Sequence, residues 1–326
     1  MAVFEKFIEI ANEEISKAKF IKDPQGLYDP INYTMSLGGK RLRPALMMMC
    51  CEAFGSHYTM CLNQAIGLEL FHNFTLLHDD VMDKADMRRN NPTVHKKWNE
   101  NAAILSGDTM LTLAYQFMME RKHGARNSNL LSLFNNTAIE IYEGQQYDME
   151  FETRNDVTVD EYIEMIRLKT SVLFGCALRM GALLAGAHVK DQNYIYKFGE
   201  YLGLAFQLQD DYLDVYGNPE TFGKQIGGDI LNGKKTFMLI SAYNAANDEQ
   251  KEKLKELILI NDPARNEEKI KGVTELYNEL NIPELCKKKI EEYINLSRKA
   301  LDKINFDKAD KAEFLKVIDF FMNRKK

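Results

Sequence analysis

Proline, tryptophan and cysteine are scarce in this chain, and their scarcity excludes several classes of protein. The 326 residues contain 7 prolines, 1 tryptophan and 5 cysteines. Alternating runs of β-branched residues are nearly absent, so an all-β fold is excluded and a helical fold is favoured. The cysteine count is odd and no CxxC pair occurs, which argues against a disulfide framework and against a zinc site.

An excess of positive charge is also missing. The chain has 42 Lys and Arg against 48 Asp and Glu, and this net charge of -6 argues against a protein that binds nucleic acid electrostatically. The N-terminal segment lacks the basic n-region and long apolar core of a signal peptide. Arg179 interrupts the most apolar later stretch, residues 171–187. We therefore expect no membrane span and a cytoplasmic location.

Segments rich in Leu, Met, Ala, Glu and Lys dominate what is present, and their periodicity predicts a succession of helices. Two of these are predicted over residues 31–37 and 159–187, and Thr158 and Glu161 form a capping box at the start of the second. Long polar links at residues 84–101 and 216–235 interrupt the helical pattern. Because no repeat and no flexible linker divides the chain, the sequence predicts a single all-α domain over residues 1–326, built as one large helical bundle.

Each of the two polar links follows an acidic cluster of the form DDxxD. The first cluster contains Asp79, Asp80 and Asp83, and the second contains Asp210, Asp211 and Asp214. On a helix the first and last Asp of such a cluster lie on one face, about 6 Å apart. Such a pair can bind a hard cation such as Mg²⁺ through oxygen. The alternative is a solvated helix end, where most carboxylates lie.

Helical periodicity places both clusters on the apolar faces of their helices. In the first helix, Leu68, His72, Leu76, Asp79 and Asp83 share one stripe, and in the second Gly199, Gly203, Phe206, Asp210 and Asp214 do so. Like charges that face a core must be neutralised or must bind cations. The pattern therefore predicts two walls of one central, metal-filled cavity.

Basic residues flank both clusters. They are Lys40, Arg43, Arg88, Arg89, Lys169, Lys224 and Lys234. Arginines that bind in a bidentate way, lysine charges and bridging Mg²⁺ ions are the groups that a diphosphate needs. Each basic residue alone would be interpreted as a surface charge, but together they indicate a diphosphate site.

Five motifs resemble those of the trans-isoprenyl diphosphate synthases, or polyprenyl synthetase family, in order and spacing. They are LGGKRLRP, FTLLHDDVMDKADMRR, RLKTS, LAFQLQDDYLD and GKQIGGDILNGKKT, between about residues 38 and 236. The resemblance implies the isoprenoid synthase fold, a homodimer, and short-chain head-to-tail condensation of isopentenyl diphosphate with C5, C10 or C15 allylic diphosphates. It also implies three Mg²⁺ ions per active site, for which Mn²⁺ can substitute.

The resemblance further implies a role for each motif residue. Asp79, Asp83 and Asp210 would ligate the Mg²⁺ ions, and Asp80, Asp211 and Asp214 would support them directly or through water. The allylic diphosphate would contact Arg88, Lys169 and Lys224, with Lys234 nearby. Isopentenyl diphosphate would be held by Lys40, Arg43, His72 and Arg89. Thr170 and Gln207 would line the reaction centre and stabilise the carbocation by their oxygen dipoles.

Product length is predicted from Phe74 and Thr75, since the resemblance implies that these positions form the floor of the elongation tunnel. Phe74 lies about 7.5 Å before Asp79 along the helix axis. One large and one modest residue imply a C15–C20 product, with geranylgeranyl diphosphate (C20) favoured. Phe74 could instead be an ordinary core aromatic, and Leu105, Leu111 and Tyr115 of the next long helix could override it.

One departure from the family pattern is visible, and two alternative functions stay open. Asn90 and Asn91 follow the two arginines where the family commonly has Gly. Asn tolerates left-handed backbone conformations, so we expect the turn to survive. A class I terpene cyclase usually has an Asn/Ser/Glu-type second motif and needs no second diphosphate site. A non-catalytic prenyl synthase subunit often lacks one aspartate motif.

Overall fold

The computed structural model describes residues 3–119, 126–217, 226–306 and 308–323, and helices dominate them. The chain begins with α1 (Val3–Lys17), α2 (Gln25–Ser36), α3 (Leu42–Ala53), α4 (Leu62–Met82), α5 (Val94–Lys97) and α6 (Glu100–Met118). It continues with α7 (Arg126–Thr153), α8 (Val159–Ile166), α9 (Val172–Ala185) and α10 (Val189–Tyr216). It then forms α11 (Gly228–Leu231), α12 (Phe237–Ala245), α13 (Asp248–Ile258), α14 (Asn266–Glu279), α15 (Ile282–Asp302) and α16 (Lys308–Met322). The predicted all-α class is confirmed.

The chain divides into two compact units. The first unit comprises Met1–Asn135, Cys176–Ile195 and Asn305–Glu313, and the second comprises Asn136–Gly175, Tyr196–Ile304 and Phe314–Lys326. The first aspartate cluster belongs to the first unit and the second cluster belongs to the second unit. That the whole chain is one domain stays a prediction.

α4 is a core helix of the first unit and packs against α3 and α6. Leu68, Leu70 and Phe71 on α4 are fully buried. Gly67 permits the close approach of α6, because a Cβ at this position would lie 2.8 Å from the Cβ of Phe117. A helix that is apolar on nearly all sides is typical of a buried core element. The first aspartate cluster is therefore carried at the end of a rigid helix.

α2 begins at Gln25, earlier than the predicted range of 31–37, and Pro30 lies inside it. Proline lacks an N–H and often ends a helix, which is why the sequence pattern indicates a later start. Here the proline is near the helix N-terminus. The carbonyl that it leaves without a helical partner belongs to Gly26, which is exposed, so water can satisfy it.

The link at residues 84–101 contains a short hairpin in addition to α5. Met87–Arg88 pairs with Asn91–Pro92 in antiparallel register. The two turn residues between these strands, Arg89 and Asn90, have φ angles of 51° and 61°. Two successive left-handed residues are typical of a type I′ turn, where Asn is favoured. The expectation that Asn90 supports this turn is confirmed.

The predicted helix over residues 159–187 is confirmed from Val159 to Ala185, but it is not α-helical throughout. The Glu161 N–H donates to Thr158 Oγ1 at 3.2 Å and the Thr158 N–H donates to Glu161 Oε2 at 2.8 Å, as expected for a capping box. Residues Arg167–Ser171 then form a π-helix between α8 and α9. Segments of this kind are frequent at functional sites, and this one carries Lys169 and Thr170.

One helical stretch among the described residues, Val159–Ala185, is long and apolar enough to cross a membrane by length and composition. By this test, Arg179 alone does not exclude a span. Within the protein, 78% of the most apolar window of this stretch is buried. Core helices pass the same test, so burial accounts for the apolar character of the stretch.

Lys269 on α14 is a buried lysine in the second unit. It links the end of α11 to the segment that follows α13. Its Nζ donates to the carbonyls of Leu231 and Ile260, each at 3.0 Å, and the side chain is 1% exposed. Lys269→Met is expected to lower the free energy of unfolding by about 2 kcal/mol, because the buried carbonyl of Ile260 and the part-buried carbonyl of Leu231 lose their donor. Urea denaturation measures this loss, with Lys271→Met on the exposed face of the same helix as the control. Equal stability of the two variants would contradict the assignment.

Candidate active site

The turn that precedes α3 is shaped by two glycines. Gly38 and Gly39 have φ angles of 77° and 141°. The guanidinium of Arg89 lies against Gly39, since a Cβ there would be 2.9 Å from Arg89 Nη2. Arg89 also donates to the carbonyl of Gly38. Only glycine permits this approach, and it brings Arg89 next to the loop that carries the exposed Lys40.

Arg43 and His72, from α3 and α4, contact each other in the first unit. Arg43 Nη1 lies 3.2 Å from His72 Nε2. Burial holds the pKa of His72 well below its ordinary value, and Arg43 lowers it further. His72 is therefore neutral at pH 7 and can accept the hydrogen bond from Arg43. Burial also lowers the pKa of Arg43 to about 10, so the guanidinium stays charged and can bind an anion.

The first aspartate cluster lies where α4 ends. Asp80 is 5% exposed, Asp79 is half-buried and Asp83 is exposed. That Asp79 and Asp83 continue the inward face stays a prediction; Asp80 is the buried carboxylate of the cluster and Asp83 is the exposed one. The reason is that α4 ends at Met82, so the last residue of the motif has left the helix that packs into the core.

Arg88 of the hairpin binds Asp80. Its Nε lies 2.8 Å from Oδ1 and 2.9 Å from Oδ2 of Asp80, and its Nη2 lies 2.7 Å from Oδ1. Burial raises the pKa of Asp80, and Arg88 acts against this rise. A narrow pocket is lined by both residues together with Asn73 and Arg89. The two predicted arginines therefore lie at the first cluster.

In the second unit, the π-helix places Lys169 and Thr170. Lys169 Nζ lies 2.5 Å from Asp148 Oδ2 on α7. Gly144 permits this approach, because a Cβ there would lie 2.3 Å from the backbone nitrogen of Lys169. Thr170 Oγ1 donates to Gln207 Oε1 at 3.1 Å. The two residues predicted to line the reaction centre are therefore in contact.

The second aspartate cluster lies near the end of α10. Asp211 and Asp214 are buried, at 6% and 9% exposure, and Asp210 is half-buried. The backbone N–H of Asp229 donates to Asp214 Oδ2 at 2.9 Å. The predicted inward orientation is thus confirmed for Asp214, whereas Asp211, which periodicity places off the stripe, is equally buried.

Asp211 is held by two side chains. The hydroxyl of Tyr162 donates to its Oδ2, and Gln207 Nε2 donates to its Oδ1 at 2.9 Å. Burial nevertheless raises the pKa of Asp211 well above its ordinary value, and the charge of Asp229 raises it further. Carboxylates that raise one another's pKa in this way favour a bound cation.

The donor set at both clusters fits magnesium, because it consists of carboxylate oxygens. Within the described parts of the chain, no three His, Cys, Asp or Glu side chains already surround a common metal position. The residues that would hold the ions are Asp79, Asp80 and Asp83 in the first unit and Asp210 and Asp214 in the second.

The remaining predicted lysines of the second unit are Lys224 and Lys234. Lys234 is exposed, and its backbone N–H donates to the carbonyl of Asp229 at 2.9 Å. Lys224 lies outside the described residues. Three residues for which no role is predicted also contact the predicted residues: Tyr162, Asp148 and Asp229. Only Asp229 carries a local signal, since it lies in the glycine-rich link after the second cluster.

Tyr162→Phe is expected to lower kcat/KM for the allylic substrate at least about tenfold. The variant removes one donor to a buried carboxylate, and hydrogen bonds to charged groups contribute about 1.5–3 kcal/mol. Initial rates at several Mg²⁺ concentrations measure the effect, which should include a higher Mg²⁺ requirement. Tyr243→Phe on α12 is the control. Wild-type rates and Mg²⁺ dependence in Tyr162→Phe would remove Tyr162 from the site.

Comparison with known proteins agrees with these observations. The polyprenyl synthetase family model matches residues 24–278. A geranylgeranyl diphosphate synthase from Methanosarcina mazei is 36% identical over 302 residues, which are 92% of this chain and 90% of that protein. A crystal structure of a geranylgeranyl pyrophosphate synthase has a TM-score of 0.95 at 42% identity and covers 100% of both chains. A polyprenyl synthase from Caulobacter crescentus, solved with calcium and isoprenyl diphosphate, has a TM-score of 0.87 at 28% identity, covering 99% of this chain and 96% of that one.

The family match spans the two aspartate clusters and the basic motifs. The fold is that of the isoprenoid synthases, and the chain is a prenyltransferase. The chain belongs to the polyprenyl synthetase family, as its motifs predict.

Proposed function

We propose that the chain condenses isopentenyl diphosphate head-to-tail with C5, C10 and C15 allylic diphosphates, and that geranylgeranyl diphosphate is its main product. The observation that carries the proposal is that the chain has two complete aspartate clusters and, in its first unit, an Arg43–His72 pair in contact. Two diphosphates need two sets of cationic groups, whereas a class I terpene cyclase takes one. A non-catalytic subunit would not need both clusters complete.

Magnesium bound by the carboxylates would supply Lewis-acid stabilisation of the departing diphosphate. We propose three ions per site, for which Mn²⁺ can substitute. The chain's own cations complete the leaving-group site: Arg88, Lys169, Lys224 and Lys234 bind the allylic diphosphate. For Arg88 and Lys169 this means exchanging the carboxylates of Asp80 and Asp148 for phosphate oxygens, a change of one anionic partner for another. Lys40, Arg43, His72 and Arg89 hold isopentenyl diphosphate.

The reaction breaks the C–O bond of the allylic diphosphate and leaves an allylic cation and pyrophosphate. The double bond of isopentenyl diphosphate attacks the cation, and the proton then lost passes to pyrophosphate. Thr170 and Gln207 would direct oxygen dipoles toward the positive charge, and the hydrogen bond between their side chains supports this shared role. The cation must be kept from water, and we propose that apolar side chains on the helices do this.

Phe74 supports a short product. It is 6% exposed and its ring lies 4.8 Å from that of His78 and 5.7 Å from that of Phe71. Thr75 is half-buried, and its hydroxyl donates to the carbonyl of His72 at 2.8 Å. A large, tightly packed ring next to a modest residue would stop chain growth near C20.

We also propose a homodimer that works in the cytoplasm, with no nucleic acid partner. α6 exposes Ile104 and Leu105, which are 45% and 59% accessible. Large apolar side chains that remain exposed on one helix of a folded chain are typical of an interface with another protein. Light scattering of the purified protein measures the oligomeric state, and a monomer would contradict this part of the proposal.

The function is tested by incubating the purified chain with labelled isopentenyl diphosphate, Mg²⁺ and each allylic primer in turn. We expect a C20 product with every primer, loss of turnover in excess chelator, and recovery on addition of Mg²⁺ or Mn²⁺. A cyclic hydrocarbon formed from an allylic diphosphate alone would indicate a terpene cyclase. No product with any primer would indicate a non-catalytic subunit.

A further inference from the structure

A buried ion pair joins α4 to the turn before α3. Arg41 Nη1 lies 2.5 Å from Glu69 Oε1, and both side chains are 3% exposed. The other Arg41 donors are also used, since Nη2 binds the carbonyl of Met35 at 2.8 Å and Nε binds Asn12 Oδ1 at 3.3 Å. Arg41 has a φ of 47°, in the left-handed region that disfavours a side chain. Its anchored guanidinium therefore keeps the turn in a conformation that it would not otherwise prefer.

Asn73, one turn after Glu69 on α4, extends this contact to the hairpin. Its Nδ2 donates to Glu69 Oε1 at 3.1 Å and to the Glu69 carbonyl at 2.8 Å. Its Oδ1 lies 3.5 Å from Arg89 Nη1, and Arg89 also donates to the carbonyl of Gly38. Asn73 is 1% exposed. Its amide thus connects the buried carboxylate with an arginine of the hairpin.

The negative charge of Glu69 also raises the pKa of two arginines that it does not contact, Arg43 and Arg89. Burial lowers the pKa of Arg43 and of Arg89, and the negative charge of Glu69 acts against both shifts. A buried carboxylate is costly when isolated, and the surrounding guanidinium groups remove that cost. The carboxylate also reduces the electrostatic repulsion among the guanidinium groups before any anion binds.

We propose that Glu69 and Asn73 are positioning residues for isopentenyl diphosphate: they hold the Lys40 loop, through Arg41, and Arg89 in place beside Arg43 and His72. This inference rests on the proposed function, since it adopts the division into two diphosphate sites. Neither residue needs to touch the substrate. Because of these contacts, the basic groups are ordered before the substrate arrives. Binding then loses less conformational entropy of side chains and loops.

Asn73→Leu tests the proposal, because it removes the contact between Asn73 and Arg89 while Glu69 stays paired with Arg41. We expect the KM for isopentenyl diphosphate to rise about tenfold, while the allylic KM and kcat stay within about twofold. Titration calorimetry with isopentenyl diphosphate alone should show a similar loss of affinity. The matched control is Gln64→Leu, another buried amide on α4, which donates to the carbonyl of Phe117 at 3.3 Å. It should lower the Tm and leave both KM values unchanged.

The possible outcomes separate this inference from the proposed function. An unchanged KM for isopentenyl diphosphate, or an equal rise in both KM values, would overturn the inference in an active enzyme. A wild-type protein that forms no product would overturn the proposed function itself. If Asn73→Leu does not fold, the double variant Arg41→Gln/Glu69→Gln replaces the ion pair by a neutral one, and it must produce the same selective rise in KM.

Discussion

Asp79→Ala and Asp210→Ala are each expected to lower kcat by at least about a hundredfold while the protein stays folded. Each change removes a carboxylate that would hold the metal beside the departing diphosphate, and single electrostatic groups of this kind contribute about 3 kcal/mol or more to catalysis. The fold should persist because both residues are only half-buried, so truncation opens no cavity in the core.

Steady-state rates at saturating substrate measure the loss, and circular dichroism checks the fold. Asp86→Ala is the matched control, because Asp86 lies just beyond the first aspartate cluster and its side chain is 77% exposed and paired with Lys96. This control should keep wild-type activity. An Asp79→Ala or Asp210→Ala variant with more than half of the wild-type rate would contradict the assigned role.

The buried aspartates should respond differently from Asp79 and Asp210. Asp80 is bound by Arg88, and Asp211 by Tyr162 and Gln207. Removing Asp80 would break the ion pair with Arg88, and removing Asp211 would leave the buried hydroxyl of Tyr162 without its acceptor, so both stability and activity would fall. Comparison of the melting temperatures of Asp79 and Asp80 variants would therefore separate metal ligation from support of the ligands.

The sequence predicts the chemistry of the site better than the orientation of its side chains. Helical periodicity shows that Asp79 and Asp83 share a face, because that relation depends only on the spacing of residues along a helix. Which carboxylate becomes buried depends on where α4 ends and on the hairpin that brings Arg88 to Asp80. The motif contains no information about either.

Contacts between residues far apart in sequence also limit what can be predicted about the second unit. Tyr162 and Asp211 are 49 positions apart, and no local pattern connects them. The π-helix at residues 167–171 resembles an ordinary helix in its composition, so a continuous helix is the natural prediction. The capping box, in contrast, is predicted correctly because both of its hydrogen bonds lie within four successive residues.

Aromatic rings pack around Phe74, the residue that we propose forms the floor of the elongation tunnel. Phe71 lies one turn before Phe74, and its ring lies 5.1 Å from that of Phe134, which in turn lies 5.0 Å from that of Tyr115. Phe74 is therefore backed by further aromatic rings. Leu105, an alternative determinant of length, is 59% exposed in the chain, which favours Phe74 and Tyr115 over Leu105 as the limiting side chains.

Phe74→Ala is expected to shift the products from C15–C20 to C25 or longer. The growing chain stops where a side chain cannot move without loss of packing, and forcing extra volume into a packed core costs about 1–3 kcal/mol. Removal of the ring removes that obstacle, while Thr75→Phe should add one nearer to Asp79 and favour C15. Product chain lengths at saturating isopentenyl diphosphate measure both shifts. Phe7→Ala, which truncates a fully buried ring on α1, should lower stability and leave the products unchanged. A wild-type product distribution in Phe74→Ala would place the floor on α6, with Tyr115 the next residue to replace, and the family assignment would stand.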